Sequence, residues 1–413
     1  MTEAYLCNES SDIIILYPST ECLGQKSAQG VTKMMIRSFL PIGQGAFYLE
    51  CFKRHDAQPI NVVYDCGSLN GEKIVKAEIC GNFQKEEDIS GVFISHLDRD
   101  HINGLPYLLQ YCNVKNIFLP LITEKNRKWL LLKDLVESSS LKPSETDFVR
   151  KFLQDPYTAI LEITHTPPVI YYIYETDQMQ ADLFPLSNHV QYLRSGQNVA
   201  DYIFSSVHYN TNDNFEWKYI PYNFNEEKNL KYLIKALYTQ LGKNYSCEEL
   251  SVMIKKDQRI RTEVKAAYKN VPGSFNINSM TLLSMTENRG KYQYPDYRCC
   301  FPFCNCFTVP NGCLYTGDYD TNHQSNWKQL MSAYENYMEY IGCIQVPHHG
   351  SRYSYNHGLS ELVRCQYYVI SAGETNSFRH PHGSVIRDIL MAHKLPMIVT
   401  EQRSNMVHFI VEN

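Results

Sequence analysis

Long apolar runs are missing from this sequence. The most continuous, IIILY at 13–17, is far too short to cross a bilayer, so no membrane partner is expected. The opening MTEAYLCNESSD has neither the basic n-region nor the apolar h-region of a secretory signal, and a cytoplasmic protein is the expectation. Positive charge is not in excess either. The chain has 39 Lys and Arg against 44 Asp and Glu, a net charge of -5. A general basic field for gripping nucleic acid is therefore excluded, and attraction to a polyanion has to be local or come from metal. No Gly/Ser-rich or Pro-rich linker divides the 413 residues, and nothing repeats internally. One large domain over 1–413, with an insertion at 113–275, is expected rather than two beads on a string.

Cysteine is not scarce, but its placement excludes a disulfide scaffold. The 14 cysteines are scattered through strand-like contexts of a long chain, which suits reduced, buried thiols. Cys299, Cys300, Cys304 and Cys306 crowd together in CCFPFCNC. Their spacing lacks the separated C-x2-C pairs of structural zinc sites, so a strand leading into the turn PNG is the expected reading.

Both ends of the chain alternate strand and helix. MMIRSFL, AFYLECF, INVVYDCGS and GVFISH read as strands, and INGLPYLLQYC places Leu105, Leu108, Leu109 and Cys112 at helical spacing. From 276 the strand pattern returns in NINSMTLLSM, GCLYTGDYD, IGCIQVPHHGS, CQYYVISAGE and PMIVTEQ, with helices at NWKQLMSAYENYMEYI and GSVIRDILMAHK. The middle is less regular. NLKYLIKALYTQL and EELSVMIKKDQRIRTEVKAAY have helical periodicity and carry many Lys and Arg, and VIYYIYET reads as a strand. The pattern predicts two sheets enclosed by helices.

The chemistry concentrates at strand ends. HLDRDH delivers His96, Asp98, Asp100 and His101 to one loop after a buried strand, more charged and polar groups than a core accepts without a counter-ion. One or two divalent cations would satisfy them. YTGDYD places Asp318 after a strand, VPHHGS places His348 and His349 before Gly350 and Ser351, and RHPHGS adds His380 and His382. Any one of these is unremarkable, since Gly-Asp is a common turn pair and single histidines are usually satisfied core or surface residues. Two histidine pairs at strand–loop junctions are unusual.

In order, IGQG, VVYDCGS, SHLDRDHINGL, NINSMTLL, LYTGDYD, VPHHGS and RHPHGSVI closely resemble the metallo-β-lactamase-like domain of ComEC-type DNA-uptake proteins and its free-standing relatives. The resemblance covers roughly the first and last thirds of the chain and implies an αββα sandwich that hydrolyses phosphodiesters. It implies His96 and Asp98 on one metal, Asp100 and His101 on the other, Asp318 between them, and one of His348 and His349 completing a shell. Asp65 would orient a ligand, and His380 and His382 would lie near substrate, one binding metal or protonating the leaving group. In this branch an aspartate at position 98 is ordinary. Many binuclear zinc hydrolases have histidine there, and the carboxylate shifts the expected metal from zinc towards manganese or magnesium. Ala46 replaces an acidic residue usual after GQG, and His165, His189 and His208 have no recognisable ligand context.

The expectation is thus a metal-dependent nuclease or other phosphodiesterase with two divalent ions, manganese, zinc or magnesium. Asp100 or Asp318 would orient the attacking hydroxide, His382 or His380 would assist the departing oxygen, and Ser351 with the Gly350 backbone would hold a phosphate oxygen. KKDQRIR is the densest basic run near the middle, a candidate nucleic-acid contact. Two rivals differ in class. One is a lactonase or thioesterase on the same scaffold, because fold does not fix substrate. The other is a regulatory or scaffold subunit that binds a partner protein through 113–275.

Overall fold

The computed structural model describes residues 34–412 apart from 55–56, 139–142, 165, 176–187, 206–215, 226, 272–274, 276–277, 288–291 and 294–308. The cysteine cluster at 299–306, His165 and His208 lie outside the described residues. In chain order the strands are β1 (Met34–Phe39), β2 (Gly45–Lys53), β3 (Ile60–Ser68), β4 (Asp88–Ile89), β5 (Gly91–Phe93), β6 (Asn113–Val114), β7 (Asn116–Pro120), β8 (Val169–Tyr174), β9 (Val190–Arg194), β10 (Lys218–Asn225), β11 (Asn278–Met285), β12 (Tyr292–Gln293), β13 (Gly312–Tyr315), β14 (Ile341–Gln345), β15 (Tyr367–Ser371), β16 (Leu395–Val399) and β17 (Val407–Glu412). The helices are α1 (Glu72–Asn82), α2 (Arg99–Ile102), α3 (Leu105–Tyr111), α4 (Glu124–Glu137), α5 (Pro143–Gln154), α6 (Pro156–Leu161), α7 (Ala200–Phe204), α8 (Glu227–Leu241), α9 (Cys247–Lys256), α10 (Gln258–Lys269), α11 (Gln324–Ala333) and α12 (Gly383–Met391).

Two mixed sheets form the centre. The larger runs β12-β17-β1-β2-β3-β5-β7-β8-β9 and the smaller β10-β11-β13-β14-β15-β16. In the larger sheet the pairs from β12 to β3 are antiparallel and those from β3 to β9 parallel. In the smaller, the pairs from β13 to β16 are parallel. Period-two alternation assigns the faces. In β2, Ala46, Tyr48 and Phe52 enter the layer between the sheets, while Phe47 and Leu49 join the core under the helices. The inter-sheet layer is rich in aromatic residues, with Tyr64 stacked on Tyr315 at 4.8 Å and Tyr48 stacked against both. Helices α1, α3, α4 and α8 to α10 share a core with the outer face of the larger sheet, and α11 and α12 cover the smaller. This is the αββα sandwich expected from the sequence.

Two features differ from the sequence reading. Residues 113–275 are core strands as well as added helices: β7, β8 and β9 extend the larger sheet and β10 pairs with β11 in the smaller. NIFLP and VQYLR are five-residue strands, too short to register against the helices around them. The long helical pattern from 248 breaks at Asp257, whose carboxylate accepts the Arg259 N–H (2.8 Å) and so ends α9 and caps α10. KKDQRIR thereby spans two helices, with Arg259 paired to Glu263.

The described cysteines Cys51, Cys66, Cys80, Cys112, Cys247, Cys313, Cys343 and Cys365 are free thiols, all buried except Cys80.

Candidate metal centre

Parallel strands deliver the cluster, as open α/β sheets do at their carboxyl ends. β3 and β5 bring Asp65 and His96, and α2 follows with Asp100 and His101. From the other sheet, the loops after β13 and β14 bring Asp318, His348 and His349. α2 rests directly on β2 and β3, which explains two glycines of the motifs. A Cβ on Gly67 would stand 2.7 Å from the Asp100 carbonyl carbon, and one on Gly45 would stand 2.8 Å from the Asp100 oxygen. The loops from the smaller sheet are tied together by Gln345, whose side-chain oxygen accepts the N–H groups of Thr316 (2.8 Å) and Gly317 (2.7 Å).

Asp318 lies at the middle of the cluster. Its Oδ1 is 3.4 Å from His101 Nε2 and 3.9 Å from His349 Nε2. Its Oδ2 is 3.7 Å from His96 Nε2 and 3.6 Å from His348 Nε2. Asp100 Oδ2 stands 3.3 Å from His349 Nε2. Two sets, His96 with His101 and Asp318, and Asp100 with His101 and His349, have their ligand atoms close enough to share an ion.

One carboxylate orders two of the imidazoles. Asp65 accepts the Ser95 N–H (2.7 Å) and the Ser95 hydroxyl (2.7 Å), and its Oδ2 is 2.7 Å from His101 Nδ1. With its proton directed to Asp65, the Ser95 oxygen is left to accept from His96 Nδ1 at 2.9 Å. Both rings thus engage Asp65 and Ser95 through Nδ1, which turns Nε2, the atom a metal would take in place of a proton, towards Asp318. His349 donates Nδ1–H to the Ser371 carbonyl (2.9 Å) with the same result. Asp65, His348 and His349 have φ of 56°, 49° and 54°, left-handed values that non-glycine residues adopt at a cost.

The charges are mutually dependent. Burial pushes the Asp318 carboxyl up, but His348, His96 and His101 outweigh it and hold it well below the usual range. Burial opposes ionisation of Asp100 as well, and is overcome by His101 and His349. Burial likewise works against the imidazolium forms of His101 and His349. Asp65, Asp100 and Asp318 nevertheless hold His101 well above the ordinary value, and Asp100 and Asp318 raise His349. Burial lowers His96 and His348. His380 is pushed down to about 4 by burial and by His348 and His349, so it is neutral at pH 7.

His96 Nε2, His101 Nε2, Asp318 Oδ1 and His380 Nδ1 are buried and make no hydrogen bond among the described residues. Such atoms are costly unless something binds them, and a divalent cation fits this donor set. Asp98 sits at the edge of the cluster, its Oδ2 3.7 Å from His96 Nε2 and 2.6 Å from Lys133 Nζ. The ring of His380 packs 5.5 Å from His348 and against Phe378. His382 instead caps α12, its Nδ1 accepting the Ser384 N–H (3.2 Å), while Nε2 lies 3.5 Å from Arg352. Ser351 is engaged locally: its N–H goes to the His348 carbonyl and its Oγ accepts from Tyr353 N. The Gly350 carbonyl accepts the His382 N–H. His189 packs against Tyr157, away from the cluster. Ser95, Gln345 and Lys133 escape the sequence reading. Ser95 adjoins the first histidine, and Lys133 with Asp134 interrupts the apolar run WLLLKDLV, a signal that a buried charge needs a partner.

Asp65→Asn is expected to weaken divalent-ion affinity about 10–100-fold while leaving the fold intact. Asparagine tolerates left-handed φ, so the backbone is preserved while the acceptor charge for His101 and Ser95 is lost. Chelator competition with circular dichroism measures both, and unchanged affinity would remove Asp65 from this role.

Comparison with known proteins follows the same lines. The family model described as the metallo-beta-lactamase superfamily matches residues 60–171, the stretch that carries Asp65 and the HLDRDH loop. No curated protein matches the chain. Among solved structures, a long form RNase Z from yeast is similar at 9% identity and a TM-score of 0.31, over 84% of this chain. The present chain spans only 38% of that enzyme's length. A putative metallo-beta-lactamase from Thermotoga maritima is similar at 10% identity and a TM-score of 0.28, covering 74% of this chain and 91% of that one. The metallo-beta-lactamase SMB-1 is similar at 10% identity and a TM-score of 0.28, covering 75% and 78%. At these scores none of the likenesses bears on what the chain does.

Proposed function

Starting from a metallo-beta-lactamase superfamily domain at residues 60–171, we propose that the chain is a metal-dependent hydrolase of phosphodiesters, with nucleic acid as the leading substrate class. The observation that carries the reading is the convergence of the unpartnered atoms of His96, His101 and Asp318 beside the Asp100 carboxylate. Divalent ions held there would supply Lewis acidity, lowering the pKa of water so that hydroxide is available near neutral pH, and would offset negative charge on the phosphoryl oxygens.

The residues around that chemistry have separable roles. His96, Asp98, Asp100, His101, Asp318, His348 and His349 would hold the ions. Carboxylates in that set favour manganese over zinc. Asp65 and Ser95 hold two imidazoles in the metal-binding tautomer. His380, neutral and facing His348, would complete a shell or accept a proton. His382 would serve the departing oxygen from the rim, beside Arg352. The exposed Arg352 guanidinium also supports an anionic substrate. Ser351 keeps the His348–Gly350 turn in shape.

The test is a panel of labelled single-stranded DNA, duplex DNA and RNA with manganese, run beside an acyl thioester and a lactone. Cleavage of at least one nucleic acid is expected. Ester or lactone turnover without nucleic-acid cleavage would transfer the chain to the lactonase or thioesterase reading. No turnover by folded, metal-loaded protein would favour a subunit gated by a partner.

A further inference from the structure

The helix that touches the ligand loop comes from the 113–275 stretch. α4 is started by Thr123, whose side chain accepts the Asn126 N–H (3.3 Å), and it buries Trp129, Leu130, Leu132 and Val136. In the same buried face stand Lys133 and Asp134. They grip two consecutive residues of HLDRDH with opposite charges. Lys133 Nζ donates to Asp98 Oδ2 at 2.6 Å and to the Phe275 carbonyl at 3.4 Å. Asp134 accepts from Arg99 Nε at 2.9 Å and is held from behind by Arg150 Nε at 2.8 Å. The ammonium therefore has a fixed place.

That place conflicts with a bound cation. The oxygen that Lys133 holds, Asp98 Oδ2, is the one facing His96 Nε2 at 3.7 Å. An ion using His96 and Asp98 would either share that oxygen with an ammonium or displace it. Like charges a few ångströms apart in a protein repel strongly, because the interior screens them far less than water does. On the other side the carboxylate of Asp100 faces His349 at 3.3 Å and feels Lys133 only through its longer-range field.

We propose that Lys133 is a tethered competitor for the ion position on the His96 and Asp98 side, so that the centre binds one ion strongly beside Asp100, His101 and His349 and a second only weakly. The inference rests on the metal-hydrolase reading but is read out by metal binding alone. Lys133 is a positioning residue: it acts through Asp98, and α4 sets how readily the second ion enters.

Titration of apo protein with manganese and with zinc, by calorimetry and chelator competition, tests this. The parent should show two unequal affinities. Lys133→Met should tighten the weaker one by at least about tenfold and leave the stronger within about threefold, as removal of one like charge predicts. Lys133→Gln, which keeps a hydrogen-bond donor without the charge, should do the same. Two equally tight ions in the unmodified protein would overturn the proposal without any variant. So would an unchanged or weakened second ion in either folded variant. Failure of the nucleic-acid panel with unequal, Lys133-dependent affinities would instead count against the substrate and leave this inference standing.

Discussion

Asp318→Ala is expected to leave a folded protein that retains at most about one divalent ion and, on the proposed activity, cleaves its phosphodiester substrate at least about a thousandfold more slowly. Asp318 reaches both halves of the cluster, with one oxygen towards His101 and His349 and the other towards His96 and His348. Without it, four imidazoles are left with no shared anion, and two cations have nothing between them to offset their repulsion. A thousandfold corresponds to about 4 kcal/mol, within the several kcal/mol that a bound metal supplies to developing charge. Asp318→Asn should fall between, since it keeps the shape and a neutral oxygen. Elemental analysis beside single-turnover rates reads both quantities. Full metal content with more than a tenth of parent activity would show that Asp318 is not the shared ligand.

The largest effect on stability is expected far from the metal, at Glu50. This carboxylate sits between the sheets and accepts from Arg37 Nε (2.7 Å), Ser284 Oγ (2.6 Å), Tyr219 OH (2.7 Å) and Tyr315 OH (2.9 Å). Arg37 is fully buried and also donates to the Asn311 carbonyl at 2.9 Å. Glu50→Ala strands a guanidinium in the core and should cost about 3–5 kcal/mol. Replacing both charges, Arg37→Met with Glu50→Leu, should recover most of that loss, because a buried pair is expensive to break and not expensive to omit. Urea denaturation at fixed metal concentration measures each step. A cost below about 1 kcal/mol for Glu50→Ala would mean that water reaches Arg37 and the pair is not sealed.

The sandwich was legible because its strands are short, β-branched and aromatic, and because polar loops punctuate them. MMIRSFL and AFYLECF read as strands, and that reading passes over the lone charge in each, Arg37 and Glu50. Their pairing could not be read: Arg37 and Glu50 find each other through cross-strand register, and their other partners come from β10, β11 and β13. The ligand candidates were legible for a similar reason, as they bunch at strand ends. The partners that tune them were not. The Lys-Asp pair inside WLLLKDLV signals buried charge but not that Asp98 and Arg99 answer it, and Ser95 acts through a hydroxyl that looks ordinary in sequence. Position 113 marked a change in regularity and not a boundary of the core, because parallel strands separated by helices lose the alternation that identified the others.

The cluster draws His96, Asp100 and His101 from beyond the carboxyl ends of interior strands of one sheet and Asp318, His348 and His349 from the same position in the other. An ion bound there is a rivet between two plates, and its binding energy becomes adhesion between the sheets at the end where side-chain packing gives way to charged loops. Filling or emptying the centre would therefore change the stiffness of that whole end of the sandwich, and a surface contact that pried the plates apart would loosen the metal before it disturbed the aromatic layer behind.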